Sequence, residues 1–584
     1  MRPMSDSTPT PWTSRHLPLG PWLFVAMALN LAALPACSLV SDMACWASWA
    51  THLQSYGYAN YPANYPPIYI HWLWVVAKLF SFFKIPLASG PLLKLLVLTP
   101  VFVAHLGLLA ILHRILMRTG AEARHWVLVM GAAALNPAIY MNGPVWGQVD
   151  LLFSLPVALA LAGLFEGFLL RWVFPLLAIA FLLKFQAVAA VPAFLGLLWI
   201  RRKEIAWGLL PALFVILISI QPFLAAGSFG RMVHGAYLSS VSSYPLATYN
   251  AANLWFLLGF NTLSDTLFLF DPTRDARGLE LLLTPRYLGW LSYSAFAIWI
   301  LVDGLRHREN TRWWRNSVLA ILGFFLVLPS MHERYLFLAV PIALVASAYH
   351  PRFLAIAGFV SFFNLFDTIW MMPPRGGILG HALAASTLIF ALGILLKDML
   401  LSDKVLAWAD RTLPLWIGAS VLLWTAVAAD VTGEMLRLER SKSLPPGWIK
   451  ATEVDGRTAQ QPWGSLQIDQ SSDGGFLSVG GSTYAFGFGT HATSLITIPV
   501  PAHARLFRTK VGVDDEAKSG HVEFEVVVDG VSLWKSGPVD GGQQVREFQT
   551  SLNGAKVMEL KVDALGALDY DHADWIEPVF EVGQ

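Results

Sequence analysis

Apolar segments separated by short polar or basic connectors follow one another through the first 430 residues of the chain. Only 14% of the residues are charged, whereas a soluble chain carries about 25%. We therefore predict an α-helical polytopic membrane domain of about 13 spans. The predicted spans are residues 22–40, 95–112, 126–140, 151–165, 172–183, 187–200, 205–220, 287–302, 317–328, 335–349, 353–370, 378–396 and 413–429.

The distribution of basic residues predicts how these spans are oriented. Arg2 and Arg15 place the N-terminal tail, 1–20, in the cytoplasm, and alternation of the spans then puts the later basic clusters on the same side. We interpret the apolar segment 68–83 as a partly inserted surface helix, because counting it as a span breaks the alternation. The cytoplasmic clusters are Arg114, Arg118 and Arg124; Arg171; Arg201, Arg202 and Lys203; Arg306, Arg308, Arg312 and Arg315; Arg352; and Lys397, Lys404 and Arg411.

Polar residues that can do chemistry gather on the opposite, extracytoplasmic side. A charged side chain at the centre of a bilayer costs about 2.5–3.5 kcal/mol on insertion scales, so several at the mouths of different helices favour a pocket for a charged ligand. Taken singly, each also fits a capping or snorkelling residue at the membrane surface. The loop 41–69 contains a single acid, Asp42, among many aromatic residues. The other candidates are Tyr65, Trp146, Gln148, Asp150, Lys184, His332, Glu333 and Arg334.

Five short blocks in this domain resemble a known family. In chain order they are Asp42 with Trp49-Ala50, residues 65–69 (YPPIY), Asn136-Pro137 followed by 145–150 (VWGQVD), 184–186 (KFQ) and 331–335 (MHERY). They resemble the signature blocks of GT-C type integral-membrane glycosyltransferases, in particular the group related to the second mannosyltransferase of glycosylphosphatidylinositol assembly and its bacterial homologues. The family loop often reads YPPGY or YPPLY, so the isoleucine of this chain is a mild departure.

The resemblance implies a multi-pass enzyme of the bacterial inner membrane, with residues 21–430 as its GT-C-like domain. Such an enzyme transfers a sugar, with mannose favoured, from a polyprenyl-phosphate donor to a glycan or glycolipid acceptor on the extracytoplasmic face, with inversion at the anomeric carbon. An acid of the first outer loop serves as general base in this chemistry, and Asp42 is the matching position.

The remaining candidate residues receive roles from the same resemblance. A phosphate leaving group needs positive charge, so Lys184, Arg334 and His332 are expected to bind it. The expected substrate-binding residues are Gln148, Asp150, Trp146, Glu333 and Tyr65. Asp150 has an alternative role, as an ion-pair partner of Lys184 or Arg334. The first outer loop has no Asp-x-Asp sequence, so a metal-held phosphate is not indicated, and no nucleic-acid motif occurs.

The composition changes after residue 430. A charged tether, 431–446, leads to residues 447–584, where the alternating stretch 522–528 followed by Asp529-Gly530 predicts a strand and a turn. This pattern predicts an extracytoplasmic all-β sandwich. Residues 487–492 (GFGTHA), 511–516 (VGVDDE) and 570–575 (YDHADW) resemble the NPCBM family of carbohydrate-binding modules, which have a galactose-binding-like fold.

The resemblance implies that this domain holds a glycan near the enzyme. Its candidate residues fit two roles, either ligand contacts or a buried polar network that ties strand ends together. A zinc site made by His491 and His572 with an aspartate is a further alternative. The candidate residues are His491, Asp514, Asp515, Asp571, His572, Asp574 and Trp575.

Two other functions compete with the glycosyltransferase. A sugar or lipid transporter, such as a flippase, predicts internal repeats and charges deep within spans, whereas the polar groups here gather at one face. A glycan-sensing protein would use only the outer β-domain, and 13 spans exceed what an anchor needs. Two local features also have alternatives: the long connector 223–286 is predicted to be a surface lid, and Cys37 lies in a weak lipoprotein-like cleavage box.

Overall fold

The structure of the protein is a computed structural model. It describes residues 17–34, 40–61, 63–85, 87, 91–238, 246–258, 260, 265, 284–370, 384–389, 391, 443–461, 465–472, 477–480, 482–515, 517, 520–552, 554–566 and 571–583.

The chain divides into two units. One comprises Met1–Ala36 and Trp49–Leu413, and the other comprises Cys37–Ser48 and Pro414–Gln584. The described part of the first unit is almost entirely helical, whereas the described C-terminal part of the second consists of strands. Residues 37–48 thus group with the second unit, although the sequence predicts them in the membrane domain.

The helices follow the predicted apolar segments. They are α1 (Gly20–Ala33), α2 (Val40–Tyr56), α3 (Pro67–Phe82), α4 (Pro91–Thr119), α5 (Ala123–Ala134), α6 (Pro137–Tyr140), α7 (Asp150–Glu166), α8 (Val173–Leu183), α9 (Val191–Ile200), α10 (Arg202–Ile205), α11 (Leu209–Ala225), α12 (Phe229–Val233), α13 (Leu254–Leu257), α14 (Pro285–Arg306), α15 (Asn310–Val327), α16 (Ala339–Tyr349) and α17 (Phe353–Trp370). Short π and 3₁₀ turns connect several of them, among them Met141–Val145, Phe185–Ala190 and Tyr335–Leu338.

Helix α7 is the centre of the first unit. Its side chains are apolar on all sides and nearly all buried, as expected of a helix surrounded by others. It packs against α4, α8, α15 and α16. The helix stops at Gly167, whose φ of 74° is the left-handed conformation that commonly ends helices. Its first residue is Asp150, so the packing of α7 determines where this carboxylate lies.

Three stretches of the described chain are long and apolar enough to cross a membrane: Pro91–Thr119, Arg202–Ala225 and Pro285–Arg306. Other predicted spans form shorter helices. Helix α8, for example, has 11 residues and is about 17 Å long at 1.5 Å per residue, against a hydrocarbon core of about 30 Å. The total of about 13 spans stays a prediction, and the predicted span 413–429 and most of 378–396 lie outside the described residues.

The described middle of the connector 223–286 is not a surface lid. Strand β1 (Thr248–Tyr249) pairs in parallel with β2 (Met331–His332), and the Trp255 indole donates to the carbonyl of Val327 at 2.8 Å. Thr248 and Trp255 are buried. These contacts hold residues 246–257 inside the helical unit, beside the segment that carries His332.

The predicted β-sandwich is confirmed in the second unit. One sheet has the strand order β13-β10-β15-β8-β5, with β3 also paired to β15, and the other has the order β12-β11-β14-β9-β4. The apolar core of the sandwich contains Phe507, Phe524 and Trp575. The strands are β3 (Trp448–Lys450), β4 (Thr458–Gln460), β5 (Gln467–Ile468), β6 (Leu477–Val479), β7 (Ser482–Tyr484), β8 (Gly487–His491), β9 (Ser494–Pro499), β10 (Ala504–Val513), β11 (His521–Val528), β12 (Val531–Asp540), β13 (Arg546–Ser551), β14 (Val557–Ala564) and β15 (His572–Val582).

The hairpin predicted at Asp529-Gly530 is also confirmed. These two residues join β11 to β12 and have φ values of 47° and 81°. A two-residue turn with positive φ at both positions matches the twist of the flanking strands. The local sequence was sufficient here, because few residue pairs other than Asn-Gly and Asp-Gly adopt this geometry readily.

Candidate functional site

The VWGQVD block forms a tight turn that leads into α7. Residues Met141–Val145 make a π-helical turn, after which Gly147 adopts a φ of 92° and Gln148 N–H donates to the carbonyl of Asn142 at 2.9 Å. The left-handed φ favours glycine at position 147. The turn places Gln148 and Asp150 in the interior, with 0% and 2% of their surface exposed.

Lys184 reaches the same point from the far end of α8. Its backbone is extended, with φ −159° and ψ 135°, which ends the helix before the next 3₁₀ turn begins. The ammonium group forms an ion pair with Asp150 and donates to Gln148 Oε1 at 3.3 Å. Asn142 Nδ2 donates to the other oxygen of Asp150 at 2.9 Å. A buried charge requires such a partner, and the predicted alternative of an Asp150–Lys184 pair is the geometry observed.

Tyr65 covers this ion pair. Pro66 and Pro67 begin α3 directly after it, because proline fits the first positions of a helix. The Tyr65 hydroxyl donates to Gln148 Oε1 at 3.3 Å, and Lys184 Nζ lies 5.1 Å from the centre of the Tyr65 ring. Trp49 packs against the other side of Tyr65, with ring centroids 5.6 Å apart. The YPP block therefore positions an aromatic wall beside the cation.

The HERY block supplies a second ion pair. Arg334 Nη1 donates to Glu333 Oε1 at 2.8 Å, and its guanidinium lies 6.0 Å from the centre of the Trp146 ring. Trp146 precedes the Gly147 turn, so the two ion pairs belong to one cluster. Tyr335 and Gln186 are also joined by a side-chain hydrogen bond.

The surroundings of His332 disfavour its charged form. Burial lowers the pKa of His332 well below its ordinary value, and the positive charges of Arg334 and Lys184 act in the same direction. Its ring packs against Tyr249, with centroids 4.8 Å apart. In its neutral form an imidazole can offer phosphate only a hydrogen bond, and the role of His332 in phosphate binding stays a prediction.

The cluster also contains buried polar atoms that have no hydrogen-bond partner among the described residues. Within the described part of the chain, Asn142 Oδ1 and Gln148 Nε2 are buried and lack a hydrogen-bond partner. Leaving such a group unpaired costs about 1–3 kcal/mol, so these atoms mark a place where a ligand or water is expected. We call the set Tyr65, Asn142, Trp146, Gln148, Asp150, Lys184, His332, Glu333 and Arg334 the polar cluster.

Sequence reasoning named all but one member of the polar cluster. Asn142 was missed, although it stands in the same connector as Gln148, because an amide beside Gly-Pro looks like a turn residue. Asp42 lies in the first turn of α2 and is half-buried. Its role as the base stays a prediction.

We expect Gly147→Ala to lower the stability of the helical unit by about 1–2 kcal/mol, because an L-residue is strained in the left-handed region. It should also lower activity by turning Gln148 away from Lys184. Gly107→Ala in α4 is the matched control, since its added Cβ meets no atom within 4 Å and alanine favours a helix. Thermal unfolding of the purified chain compares the two. Equal thermal midpoints for the Gly147→Ala and Gly107→Ala variants would show that this turn does not need glycine.

The candidate residues of the β-domain fall into a structural network and a histidine pair. Asp514 accepts from Ser478 N–H at 3.0 Å, Asp515 from Gly480 N–H at 2.9 Å, and Asp571 from His521 N–H at 2.8 Å. These bonds tie neighbouring loops together. His491 and His572 are direct neighbours on β8 and β15, with ring centroids 5.4 Å apart.

Trp575 and Asp574 are both fully buried. The Trp575 ring packs edge-to-face on Phe524 at a centroid distance of 5.2 Å, so it belongs to the core and cannot also contact a glycan. For the candidate zinc site, the described residues contain no group of three or more His, Cys, Asp and Glu side chains that could hold a metal ion.

Asp514→Ala is expected to lower the stability of the β-domain by about 1–3 kcal/mol, because it leaves the backbone N–H of Ser478 without its acceptor. Asp455→Ala, at an exposed position, should change stability by less than about 0.5 kcal/mol. Hydrogen exchange of peptides from the β-domain of the full chain, read by mass spectrometry over a temperature series, measures both. If Asp514→Ala is as stable as the wild type, Asp514 does not have this structural role.

Comparison with known proteins bears directly on the β-domain. Residues 448–581 match the NPCBM/NEW2 domain, which confirms the predicted NPCBM domain. The chain is 38% identical over 123 residues to alpha-1,3-galactosidase B of Akkermansia muciniphila, a match that covers 20% of this chain and 16% of that protein. The chain therefore spans about a sixth of the length of this relative.

Two solved structures are similar over different parts. A CBM51 module from a Clostridium perfringens GH95 protein, in complex with methyl-galactose, is 25% identical and covers 23% of this chain and 99% of that one, with a TM-score of 0.22. Arabinosyltransferase EmbB from Mycobacterium smegmatis is 16% identical and covers 100% of this chain and 66% of that one, with a TM-score of 0.32. Both scores are low, and neither likeness bears on the function of this chain.

Proposed function

We propose that the protein is a membrane glycosyltransferase that moves a sugar, with mannose favoured, from a polyprenyl-phosphate donor to a glycan or glycolipid acceptor on the extracytoplasmic face, with inversion. One observation carries this proposal. The YPP, VWGQVD, KFQ and HERY blocks lie far apart in the sequence, yet their polar side chains meet in one buried cluster of two ion pairs. A bundle that only anchors a domain has no need of such a cluster.

The reaction assigns a task to each charged group. Asp42 takes the proton of the acceptor hydroxyl while the acceptor oxygen forms a bond to the anomeric carbon. The bond from this carbon to the phosphate oxygen breaks, and the polyprenyl phosphate leaves with the electron pair. Cations stabilise the charge that develops on the phosphate, and Lys184 and Arg334 are the cations of the polar cluster. Each already faces a carboxylate, so the phosphate shares these cations with Asp150 and Glu333.

We propose that the NPCBM domain binds a carbohydrate of the acceptor or of the surrounding envelope. The match of residues 448–581 to this domain supports the assignment. The fully buried Trp575 is not part of the binding surface, and Asp514, Asp515 and Asp571 hold strand ends and turns together.

Membranes that contain the chain test the proposed function. They are incubated with radiolabelled polyprenyl-phosphate mannose, glucose and arabinose, and label is followed into glycan or glycolipid. We expect transfer from one of these donors, with mannose first. Movement of the labelled lipid across the bilayer without transfer would support a flippase instead. If the donors stay unchanged while the purified chain still binds glycans, the membrane glycosyltransferase is excluded in favour of a glycan sensor.

A further inference from the structure

Helix α17 carries a buried polar stripe that the polar cluster does not include. Ser361, Asn364, Asp367 and Thr368 recur on one face of an otherwise apolar helix, and each is at most 6% exposed. Asn136 Nδ2 donates to Ser361 Oγ at 2.9 Å, and Thr368 Oγ1 donates to the carbonyl of Asn364 at 2.6 Å. The outer members of the stripe thus have structural partners.

The two central residues are only partly satisfied. Asp367 Oδ1 accepts from the backbone N–H of Ala252 at 2.9 Å. Asp367 Oδ2 and Asn364 Nδ2 are buried and have no hydrogen-bond partner in the part of the chain that the structure describes. An apolar side chain of similar shape would avoid the cost of burying these atoms. Their presence therefore points to a ligand that supplies one hydrogen-bond donor and one acceptor.

The topology places these atoms beside the polar cluster. Helices α16 and α17 are antiparallel neighbours joined by a short connection, so the C-terminal turns of α17 return to the level of the HERY block. Helix α17 packs against the π-helical turn Met141–Val145 and against Tyr335–Leu338. The carboxylates of Asp367 and Glu333 are close enough to repel each other, so Asp367 lies near the Glu333–Arg334 pair.

We propose that Asn364 and Asp367 form the subsite that holds the donor sugar, with Asp367 Oδ2 accepting from one sugar hydroxyl and Asn364 Nδ2 donating to a neighbouring sugar oxygen. This inference rests on the proposed glycosyltransferase function. The donor sugar is attached directly to the phosphate, so its hydroxyls lie within a few ångströms of the cation that binds that phosphate. A subsite at Asp367, whose carboxylate lies near the Glu333–Arg334 pair, would adjoin the proposed phosphate site.

Asp367→Asn tests the subsite in the full chain, reconstituted in lipid nanodiscs. The asparagine keeps an oxygen for Ala252 N–H and removes the carboxylate oxygen that faces the sugar. We expect kcat/KM to fall about 10-fold, as for the loss of one hydrogen bond. The substrates are the polyprenyl-phosphate sugar that the wild type uses, among mannose, glucose and arabinose, and its series of monodeoxy analogues.

The deoxy series separates a sugar contact from a structural role. For each analogue, kcat/KM is compared with that of the complete donor in the same protein. If Asp367 binds one hydroxyl, the analogue without that hydroxyl has a lower kcat/KM in the wild type but the same kcat/KM as the complete donor in Asp367→Asn. The other analogues lower kcat/KM by equal factors in both proteins. Ser361→Ala is the control, because Ser361 already has a protein partner, Asn136. It should change kcat/KM by the same factor for every donor. Equal losses for every donor in Asp367→Asn, or no loss, would overturn the subsite.

Asn364→Leu provides an independent measurement. Removal of the buried Nδ2 group, which has no partner among the described residues, should raise the thermal midpoint or leave it unchanged, while transfer falls. A residue that only supports the fold would lower both, and that result contradicts the proposal. If the wild type transfers sugar from none of the three donors, the glycosyltransferase function is wrong and the subsite with it. If the wild type is active but every deoxy analogue lowers kcat/KM by the same factor in the wild type and in Asp367→Asn, only the subsite is wrong.

Discussion

Asp42→Asn is expected to reduce sugar transfer by about 10²–10⁴-fold, the range that a positioned general base contributes. An acceptor hydroxyl is a weak nucleophile until its proton is removed, and asparagine cannot accept that proton. Asp42 is the only acid in the segment 41–69, so no neighbouring carboxylate there can replace it. The sequence predicts this segment as a loop, but the structure places most of it in helix α2, Val40–Tyr56. Asp42 lies in the first turn of α2, where the helix N-terminus stabilises negative charge.

The measurement is transfer of label from the polyprenyl-phosphate donor by purified wild-type and variant chains at equal amounts. Glu204→Gln is the matched control, since it neutralises an acid in the first turn of α10 whose side chain is 55% exposed. We expect it to transfer at the wild-type rate. Asp42→Glu should recover part of the activity because it keeps the carboxylate. Equal transfer by Asp42→Asn and wild type would remove Asp42 from the mechanism.

The sequence predicted those parts of the fold that depend on local chemistry. The Asp529-Gly530 hairpin follows from two residues that tolerate positive φ, and the helices follow from the apolar segments. The connector 223–286 shows the limit of this reasoning. Its polar residues fit a surface loop, yet the pairing of Thr248 with Met331 joins residues 83 positions apart, and local composition contains no signal for that contact.

The candidate site shows the same division. Tyr65, Gln148, Lys184 and Arg334 stand at the ends of apolar segments, so orientation alone predicts them on one face. Which cation pairs with which acid was left open, because side-chain direction depends on the Gly147 turn and on the break of α8 at Lys184.

Asp367 was missed for a different reason. An acid near the end of an apolar segment is usually a surface residue. Its contact with Ala252 spans 115 residues and becomes visible only in the folded chain.

Lys184→Met is expected to destabilise the helical unit by about 3–5 kcal/mol and to abolish transfer. The cost arises because Asp150 remains, with 2% exposure and no cation beside it; removing one partner of a buried ion pair leaves an uncompensated charge. The double variant Lys184→Met/Asp150→Leu should recover most of the stability, since an apolar pair of similar volume replaces a buried ion pair at little cost. It should still transfer far more slowly than the wild type, because the phosphate has lost one of its two proposed cations and keeps only Arg334.

Thermal and denaturant unfolding of the single and double variants in nanodiscs gives the coupling between the two positions, and label transfer gives activity. Arg201→Met is the matched control, because its pair with Glu204 is long, 3.9 Å, and partly exposed, and such pairs contribute about 0–1 kcal/mol. Wild-type stability in Lys184→Met would mean that the pair is hydrated rather than buried. Wild-type transfer by the double variant would show that Lys184 does not act on the donor phosphate.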